Sequence, residues 1–144
     1  MTTIKTYLTQ DHRECDKLFS DLENHVAQKE WNEAKALFEP FEKAMIRHFE
    51  IEEQVIFPAF EQKTGFVGGP TRVMTMEHQQ MRGVIEGMKG ALKEQDRNRF
   101  LGLSETLMIL LQQHNMKEEQ MLYNMIEMHL KEENDDLMKE VVNR

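Results

Sequence analysis

A histidine followed four residues later by a glutamate occurs twice in the chain, at His48 with Glu52 and at His114 with Glu118. Positions i and i+4 of an α-helix lie on one face, so an imidazole and a carboxylate placed there can converge on one point. The two pairs are sixty-six residues apart. The same offset relates two further histidines, and the complete set is His12, His48, Glu52, His78, His114 and Glu118.

Two matching sets of two histidines and one carboxylate predict a two-fold, two-metal site. The alternative without a metal is a group of core histidines hydrogen-bonded to core glutamates. Six such side chains are costly to bury without a compensating charge. Imidazole and carboxylate without thiolate suit iron, manganese or zinc. Structural zinc usually takes four closed ligands that include cysteine. The zinc-protease pattern His-Glu-x-x-His and the ferritin-like pattern Glu-x-x-His are both absent from the sequence.

The elements that must position these residues are indicated by apolar side chains at helical spacing. Four long stretches carry this pattern, at about 4–26, 34–59, 73–92 and 100–125, and a shorter, more polar one spans 132–142. The turns between the first and second stretches, and between the third and fourth, are short. We therefore predict four long amphipathic helices and a short tail helix.

Prolines and glycines set the expected breaks. Pro40 is expected to kink the second helix or split off its first two turns, and Pro58 to bend or end it. The glycine-rich segment 64–70 is the clearest loop, and Pro70 suits the start of the third helix. Asp96 is a plausible N-cap for the fourth helix.

The predicted fold is all-α, an antiparallel up-down-up-down four-helix bundle with a short C-terminal tail helix. We assign residues 1–144 to one domain, with the bundle at about 4–128 and the tail at 129–144. Counting from the two short turns places all four histidines about fifteen to seventeen residues away, so they fall at nearly one level of the bundle. This agreement is independent of the motif and supports a single site.

Composition narrows the classes of function. The net charge is −8 with no basic block, which argues against nucleic acid as a partner. No apolar run approaches the ~20 residues of a membrane span, and the N-terminus has no apolar signal core. The single cysteine, Cys15, leaves no internal disulfide and suits a reducing compartment. We therefore expect a cytoplasmic protein.

Three motifs together resemble one known family. They are HFEIEEQVIFP at 48–58, Gly69-Pro70 with Met-Glu-His at 76–78, and the pattern of His, Glu-Glu and Leu-Tyr within 114–123. The chain is similar over about residues 4–128 to hemerythrin-like proteins of the HHE cation-binding family. The resemblance implies a four-helix bundle that holds two iron ions in an oxo- or hydroxo-bridged di-iron centre.

By the same resemblance, Glu52 and Glu118 would bridge the irons, with two histidines as terminal ligands of each iron. His12 and His48 would belong to one iron, and His78 and His114 to the other.

One departure from the oxygen-carrying hemerythrins concerns the third helix. Those proteins have a fifth histidine in a His-x-x-x-His pair there, and an aspartate bridge on the fourth helix. Here Met74 and Arg82 stand four residues on either side of His78, and the bridge would be Glu118. The ligand set is closer to that of the repair-of-iron-centres proteins. Each metal is therefore expected to keep a position for a small exogenous ligand.

The predicted function is a non-haem di-iron protein that binds nitric oxide, oxygen or peroxide for stress response, sensing or iron handling. The first alternative is a redox enzyme that turns over peroxide or nitric oxide at the same centre. An oxygen-binding hemerythrin and a structural bundle with incidental histidines are further alternatives. The sequence decides neither between binder and catalyst nor between iron and manganese, and it indicates no protein partner.

Other polar residues near the motifs receive weaker assignments. Glu53 and Glu119 lie about 100° round the helix from the glutamate ligands, where they are solvated or support the ligands from outside. The two tyrosines, Tyr7 and Tyr123, are assigned to packing, with a hydrogen bond near the metals as the alternative. The remaining histidines are expected at the surface; they are His25 and His129.

Overall fold

The computed structural model describes residues 2–144, and every regular element in that range is helical. We call the two π-helical segments π1 and π2. In chain order the elements are α1 (Ile4–Ala27), α2 (Trp31–Ile51), π1 (Glu52–Ile56), α3 (Phe57–Thr64), α4 (Pro70–Lys93), α5 (Arg97–Lys117), π2 (Glu118–Leu122), α6 (Tyr123–His129) and α7 (Asn134–Val142).

The four long helices pack as a bundle. Helix α1 contacts α2 and α5, and α4 contacts α5 and α2, so the helices form a closed ring of four. Helices α3 and α6 extend α2 and α5 beyond their π segments, and α7 packs against α1 and π1. The predicted all-α bundle is therefore confirmed. Within residues 2–144, none of the helices combines the length and the apolarity that a membrane crossing requires.

The chain folds as two similar helical hairpins. The bounds of α1, α2 and π1 become those of α4, α5 and π2 when sixty-six is added to each residue number. The turns repeat as well, because Lys29 and Gln95 both adopt left-handed backbone conformations, with φ of 59° and 55°. The sixty-six-residue offset of the histidine and glutamate motif is therefore the offset between two repeated hairpin backbones.

Two apolar clusters fill the bundle. The first lies toward the two short turns and includes Phe19, Phe41 and Phe100, all at most 5% exposed. The second lies toward α3, α6 and α7 and includes Ile56 and Phe60. Burying such side chains contributes about 1.5–3 kcal/mol each. The predicted metal ligands lie between these two clusters, where they form a polar layer inside an apolar bundle.

Helix starts follow local chemistry. The Thr3 hydroxyl oxygen accepts a hydrogen bond from the Thr6 amide at 3.1 Å, and Asp96 accepts one from the Arg99 amide at 3.1 Å. The second contact confirms Asp96 as an N-cap. Pro70 lies in the first turn of α4, where its missing N–H costs no helical hydrogen bond.

The helical path of the second stretch continues through both of its prolines. Helix α2 runs unbroken through Pro40, so the predicted split of its first turns is absent. Pro58 lies in the first turn of α3, and the helical path continues to Thr64. The irregularity in this stretch is π1, which ends two residues before Pro58. Because π2 occupies the equivalent place ahead of Asn124 in the other hairpin, the proline is not what produces it.

The predicted short tail helix is present as α7, and it docks on the second apolar cluster. Val141 is buried, and Leu137 and Met138 pack beside it on the second apolar cluster. The Arg47 guanidinium donates to the Val141 carbonyl at 3.2 Å. At the other end of α7, the Asn134 side-chain oxygen accepts from the Ile4 amide at 2.9 Å.

Replacing Pro40 by alanine should stabilise the protein. Pro40 is exposed in the interior of α2 and has no N–H to donate to the Ala36 carbonyl. We expect the free energy of unfolding to rise by about 2 kcal/mol, since the restored hydrogen bond outweighs the added freedom of the unfolded chain. Urea unfolding measures this, and Lys35→Ala, at an exposed position of the same helix, is the control. A loss of stability would show that the bundle needs the proline geometry.

Candidate metal centre

The structure brings all six predicted ligand residues into one buried layer. Each of the long helices α1, α2, α4 and α5 contributes one histidine, and each π segment contributes its first residue, a glutamate. None of the six side chains is more than 4% exposed. The residues are His12, His48, Glu52, His78, His114 and Glu118.

The histidines form two pairs, one in each hairpin. The ring centroids of His12 and His48 are 4.6 Å apart, and those of His78 and His114 are 4.9 Å apart. This pairing matches the predicted assignment of two histidines to each metal.

The two glutamates lie between the histidine pairs. Glu52 Oε1 is 3.6 Å from His48 Nε2 and 3.1 Å from His78 Nε2. Glu118 Oε1 occupies the equivalent place, 3.1 Å and 3.3 Å from the Nε2 atoms of one histidine in each pair. Each carboxylate thus faces one imidazole of each hairpin, as a bridging group would.

A second set of carboxylates holds the histidines from outside. In every case the Nδ1 atom faces a carboxylate oxygen at 2.6–2.8 Å. The four pairs are His12 with Glu119, His48 with Asp11, His78 with Glu53, and His114 with Glu77. The supporting carboxylates also obey the sixty-six-residue offset.

These contacts determine which imidazole nitrogen carries the hydrogen. An ionised carboxylate can only accept, so each Nδ1 donates. In the neutral tautomer, the Nε2 atom then presents a bare lone pair to the centre. Metal-binding histidines in proteins have this arrangement, because the outer carboxylate orients the ring and raises its basicity.

The centre of the layer is consequently rich in unpaired electron donors. Glu52 Oε1, His78 Nε2, His114 Nε2 and Glu118 Oε2 are buried without a hydrogen-bond partner. His78 Nε2 and Glu52 Oε1 approach to 3.1 Å, but their orientation is not that of a hydrogen bond. Buried carboxylates and imidazole lone pairs require a cation. The donor set fits a metal ion in kind, number and direction.

Cations surround the supporting carboxylates. Arg82 donates two hydrogen bonds to Glu53, at 2.8 Å and 2.9 Å, and Arg13 donates two to Glu119, at 3.0 Å and 2.6 Å. Lys117 donates to Glu77. Burial alone would raise the pKa of Glu53, but hydrogen bonds from His78 and Arg82 lower that pKa to about 2. The pKa values of Glu77 and Glu119 are lowered as well, so three of the four outer carboxylates are ionised at neutral pH and can orient the rings.

Protons compensate the buried carboxylates when no metal does. Burial lowers the pKa of His78, but the close approach of the Glu52 carboxylate and the hydrogen bond to Glu53 raise it to a net value of about 9. Burial would raise the pKa of Glu118, but His114 and His12 hold it well below its usual value. The metal-free site therefore favours a protonated His78 and an ionised Glu118.

The π segments bring two aromatic residues to the layer. The Phe57 amide donates to the Glu52 carbonyl and the Tyr123 amide to the Glu118 carbonyl, each five residues back. Phe57 stacks on His78 with ring centroids 6.2 Å apart, and Tyr123 on His12 at 5.6 Å. π segments of this kind often occur at functional sites.

Tyr123 also makes polar contacts that its assignment to packing left out. Its hydroxyl oxygen is 2.7 Å from Glu52 Oε2 and 2.9 Å from Glu118 Oε1. The hydrogen bond near the metals, offered as the alternative for this residue, is the contact that forms.

Residues assigned elsewhere lie outside the layer. His25 pairs with Glu30 at 2.8 Å, and His129 is exposed and contacts the edge of Phe60. The Tyr7 hydroxyl oxygen accepts from Arg47 at 3.0 Å.

Two of the supporting carboxylates, Asp11 and Glu77, were not predicted from the sequence. A signal for them exists, because an acidic residue immediately precedes both His12 and His78. Neighbouring residues of a helix point in different directions, however, so neither acidic residue supports the histidine beside it. Asp11 contacts His48 and Glu77 contacts His114, each on another helix.

The comparisons with known proteins agree with this arrangement. A family model described as the hemerythrin HHE cation binding domain matches residues 3–126. An uncharacterized hemerythrin-like protein of Schizosaccharomyces pombe is 31% identical over 134 residues, which is 92% of this chain. The chain spans 64% of the length of that relative. No solved structure matches the chain.

Removing an outer carboxylate should weaken metal binding without removing a ligand. In the Glu53→Ala variant, His78 loses its Nδ1 acceptor and Arg82 loses its partner. We expect metal affinity, measured by chelator competition, to fall about 10- to 100-fold. Glu86→Ala, at an exposed position of α4, should change nothing. Equal affinities for the two variants would show that the outer carboxylate does not support the ligand.

The stability of the metal-free protein should fall with rising pH. His78 has a folded pKa of about 9, above its ordinary value of 6.5, so protonation stabilises the fold. This contribution is complete below pH 6.5 and is lost as the pH rises through 9. Urea unfolding of chelator-treated protein between pH 6 and pH 9 tests this. The His78→Gln variant should show a shallower decline, and stability that rises over this range would contradict the assignment.

Proposed function

The chain belongs to the hemerythrin HHE cation-binding domain family, and from that premise we propose that it is a non-haem di-iron protein. Its buried centre would bind a small ligand, namely nitric oxide, oxygen or peroxide. The biological role would lie in stress response, sensing or iron handling. The six ligands would be the four paired histidines with Glu52 and Glu118.

One observation carries this proposal. Four imidazole Nε2 atoms face two central glutamate carboxyl groups in a layer that is at most 4% exposed. A structural bundle with incidental histidines would bury them with their hydrogen bonds satisfied. Here four central atoms have no hydrogen-bond partner, while all four outer Nδ1 atoms have one. A central cation would supply the missing partners of these atoms, which supports the proposal.

The geometry favours two metals over one. The histidines divide into pairs, and each glutamate lies between the pairs. Two groups of side chains could each hold a metal ion, because within each group the ligand atoms lie within 4.8 Å of one another. Both groups include Glu118. The groups are Glu52, His78, His114 and Glu118, and His12, His48 and Glu118.

The donor types favour iron. Imidazole with carboxylate is the combination of non-haem iron sites that keep open positions. When bound, such a pair of irons supplies reversible one-electron chemistry and open sites for small ligands. The protein's own part is to hold the six donors, keep each Nε2 unprotonated and exclude bulk water.

The same burial limits the size of the ligand. Phe49 and Phe57 stack on His78, at centroid distances of 4.3 Å and 6.2 Å, and Met74 is buried beside the layer. A diatomic molecule or peroxide can enter such a space, whereas a larger substrate would have to displace the core.

Reversible oxygen carriage is less well supported than the binding of nitric oxide. The residues one turn from His78 are Met74 and Arg82, and Arg82 is engaged with Glu53. Neither supplies the third imidazole of the oxygen carriers, since a thioether is a poor ligand for ferric iron.

Metal analysis of anaerobically purified protein tests the proposal. We expect two irons per chain, and Glu52→Ala or Glu118→Ala should lose or weaken both because each removes a shared negative charge. His25→Ala and His129→Ala, the matched controls outside the layer, should keep both irons. Adding nitric oxide to the reduced protein should change its absorption spectrum.

The opposite results are equally definite. A protein that takes up no iron, with the same melting temperature before and after iron addition, would favour a structural bundle. Sustained turnover of peroxide or nitric oxide would assign the centre to a redox enzyme. A stable, reversible oxygen spectrum would return oxygen carriage to first place.

A further inference from the structure

The hydroxyl group of Tyr123 lies inside the candidate metal layer. Its side chain is fully buried, and four polar atoms surround the oxygen. They are Glu52 Oε2 at 2.7 Å, Glu118 Oε1 at 2.9 Å, His12 Nε2 at 3.0 Å and His48 Nε2 at 3.4 Å. Every neighbour is an atom of a proposed ligand, and both histidines belong to the same pair.

A neutral phenol does not suit this environment when His12 and His48 are in their neutral, metal-binding form. It has one hydrogen to donate, and a bond to Glu52 uses it. The Nδ1 atoms of His12 and His48 donate to Glu119 and Asp11, so in the neutral, metal-binding form their Nε2 atoms carry lone pairs. The phenol oxygen then faces a second carboxylate and two imidazoles, lone pair against lone pair. A cation among these atoms removes the conflict.

The distances match those between ligands of one metal. Atoms bound about 2 Å from a first-row metal ion lie about 3 Å from one another at adjacent corners. The four neighbours of the Tyr123 oxygen lie between 2.7 Å and 3.4 Å away. The oxygen thus lies where a further ligand of the His12 and His48 metal would be.

The other hairpin has no counterpart for this oxygen. The residue equivalent to Tyr123 in the other hairpin is Phe57, sixty-six positions earlier. The Phe57 ring stacks on His78 as the Tyr123 ring stacks on His12, but it has no hydroxyl group. The group of donor atoms around His78 and His114 contains both glutamates, whereas the group around His12 and His48 contains only Glu118. The oxygen of Tyr123 therefore stands beside the group with fewer ligands.

We propose that Tyr123 is a seventh ligand of the centre, bound as a phenolate to the metal held by His12 and His48. The metal held by His78 and His114, which Phe57 leaves without a phenolate, keeps the open position and receives the small ligand. This inference rests on the proposed iron centre and makes its two irons inequivalent.

The binding step is an exchange of a proton for a metal. The phenolic O–H bond breaks, the oxygen–metal bond forms, and the proton is released to solvent with no change of oxidation state. The positive charge of the metal drives the loss of the proton, because it stabilises the phenolate oxygen. Bound cations commonly deprotonate their ligands in this way.

Visible spectroscopy of the air-oxidised, iron-loaded protein tests the proposal, because ferric phenolates have a charge-transfer band that histidine and carboxylate ligands lack. The chain has only two tyrosines, so the source of a band can be assigned. We expect Tyr123→Phe to abolish the band and the phenolate ring modes in resonance Raman spectra. Tyr7→Phe, which alters only the tyrosine bonded to Arg47, should retain both.

A gain-of-function variant complements this loss. Phe57→Tyr adds a hydroxyl at the equivalent place in the other hairpin and should about double the band intensity per chain, while nitric oxide binding weakens. Melting curves of the metal-free variants show whether each one folds. The result therefore does not depend on the stability of one substitution.

Iron content separates the two proposals. A wild-type protein with two irons per chain and no Tyr123-dependent band would overturn the phenolate and leave the iron centre intact, with Tyr123 acting as a hydrogen-bond donor only. A protein that takes up no iron would overturn both.

Discussion

The structure depends on the burial of two glutamate carboxyl groups and four imidazoles at one level of an apolar bundle. Unpaired, these groups would cost several kcal/mol each. The surrounding side chains offset that cost by forming successive shells of opposite charge around the centre. The central glutamates and imidazole lone pairs call for cations, the outer carboxylates orient the imidazoles, and Arg13, Arg82 and Lys117 hold three of the outer carboxylates.

The division of the core follows from this constraint. The apolar clusters lie on either side of the polar layer, so water is kept away from it along the bundle axis. A low local dielectric strengthens the contacts within the layer and makes any unpaired donor more costly. The tail helix adds Val141 to the cluster on the α3 and α6 side and so helps to close that end.

Internal repetition explains how a chain of this size builds the layer. Two helical hairpins with like bounds, turns and π segments each contribute two histidines, one central glutamate and two outer carboxylates. The differences between the hairpins are local. Phe57 in the first hairpin is equivalent to Tyr123 in the second. Phe49, which stacks on His78, is equivalent to Asn115. These substitutions alter the two metal environments while the scaffold stays the same.

The sequence by itself determined the four long helices, the tail helix, the N-cap at Asp96 and the level at which six side chains meet. Helical periodicity is a local property, and in this chain nearly all of the helical path obeys it. As ligands, the six residues remain a prediction. Only the tertiary structure decided the contacts of Asp11 and Glu77, because they join different helices. It also decided the place of Tyr123. Five residues after Glu118, a regular α-helix would carry Tyr123 about 140° round from the site. The π segment brings it back to the same face, and regular spacing does not predict that extra residue in the turn.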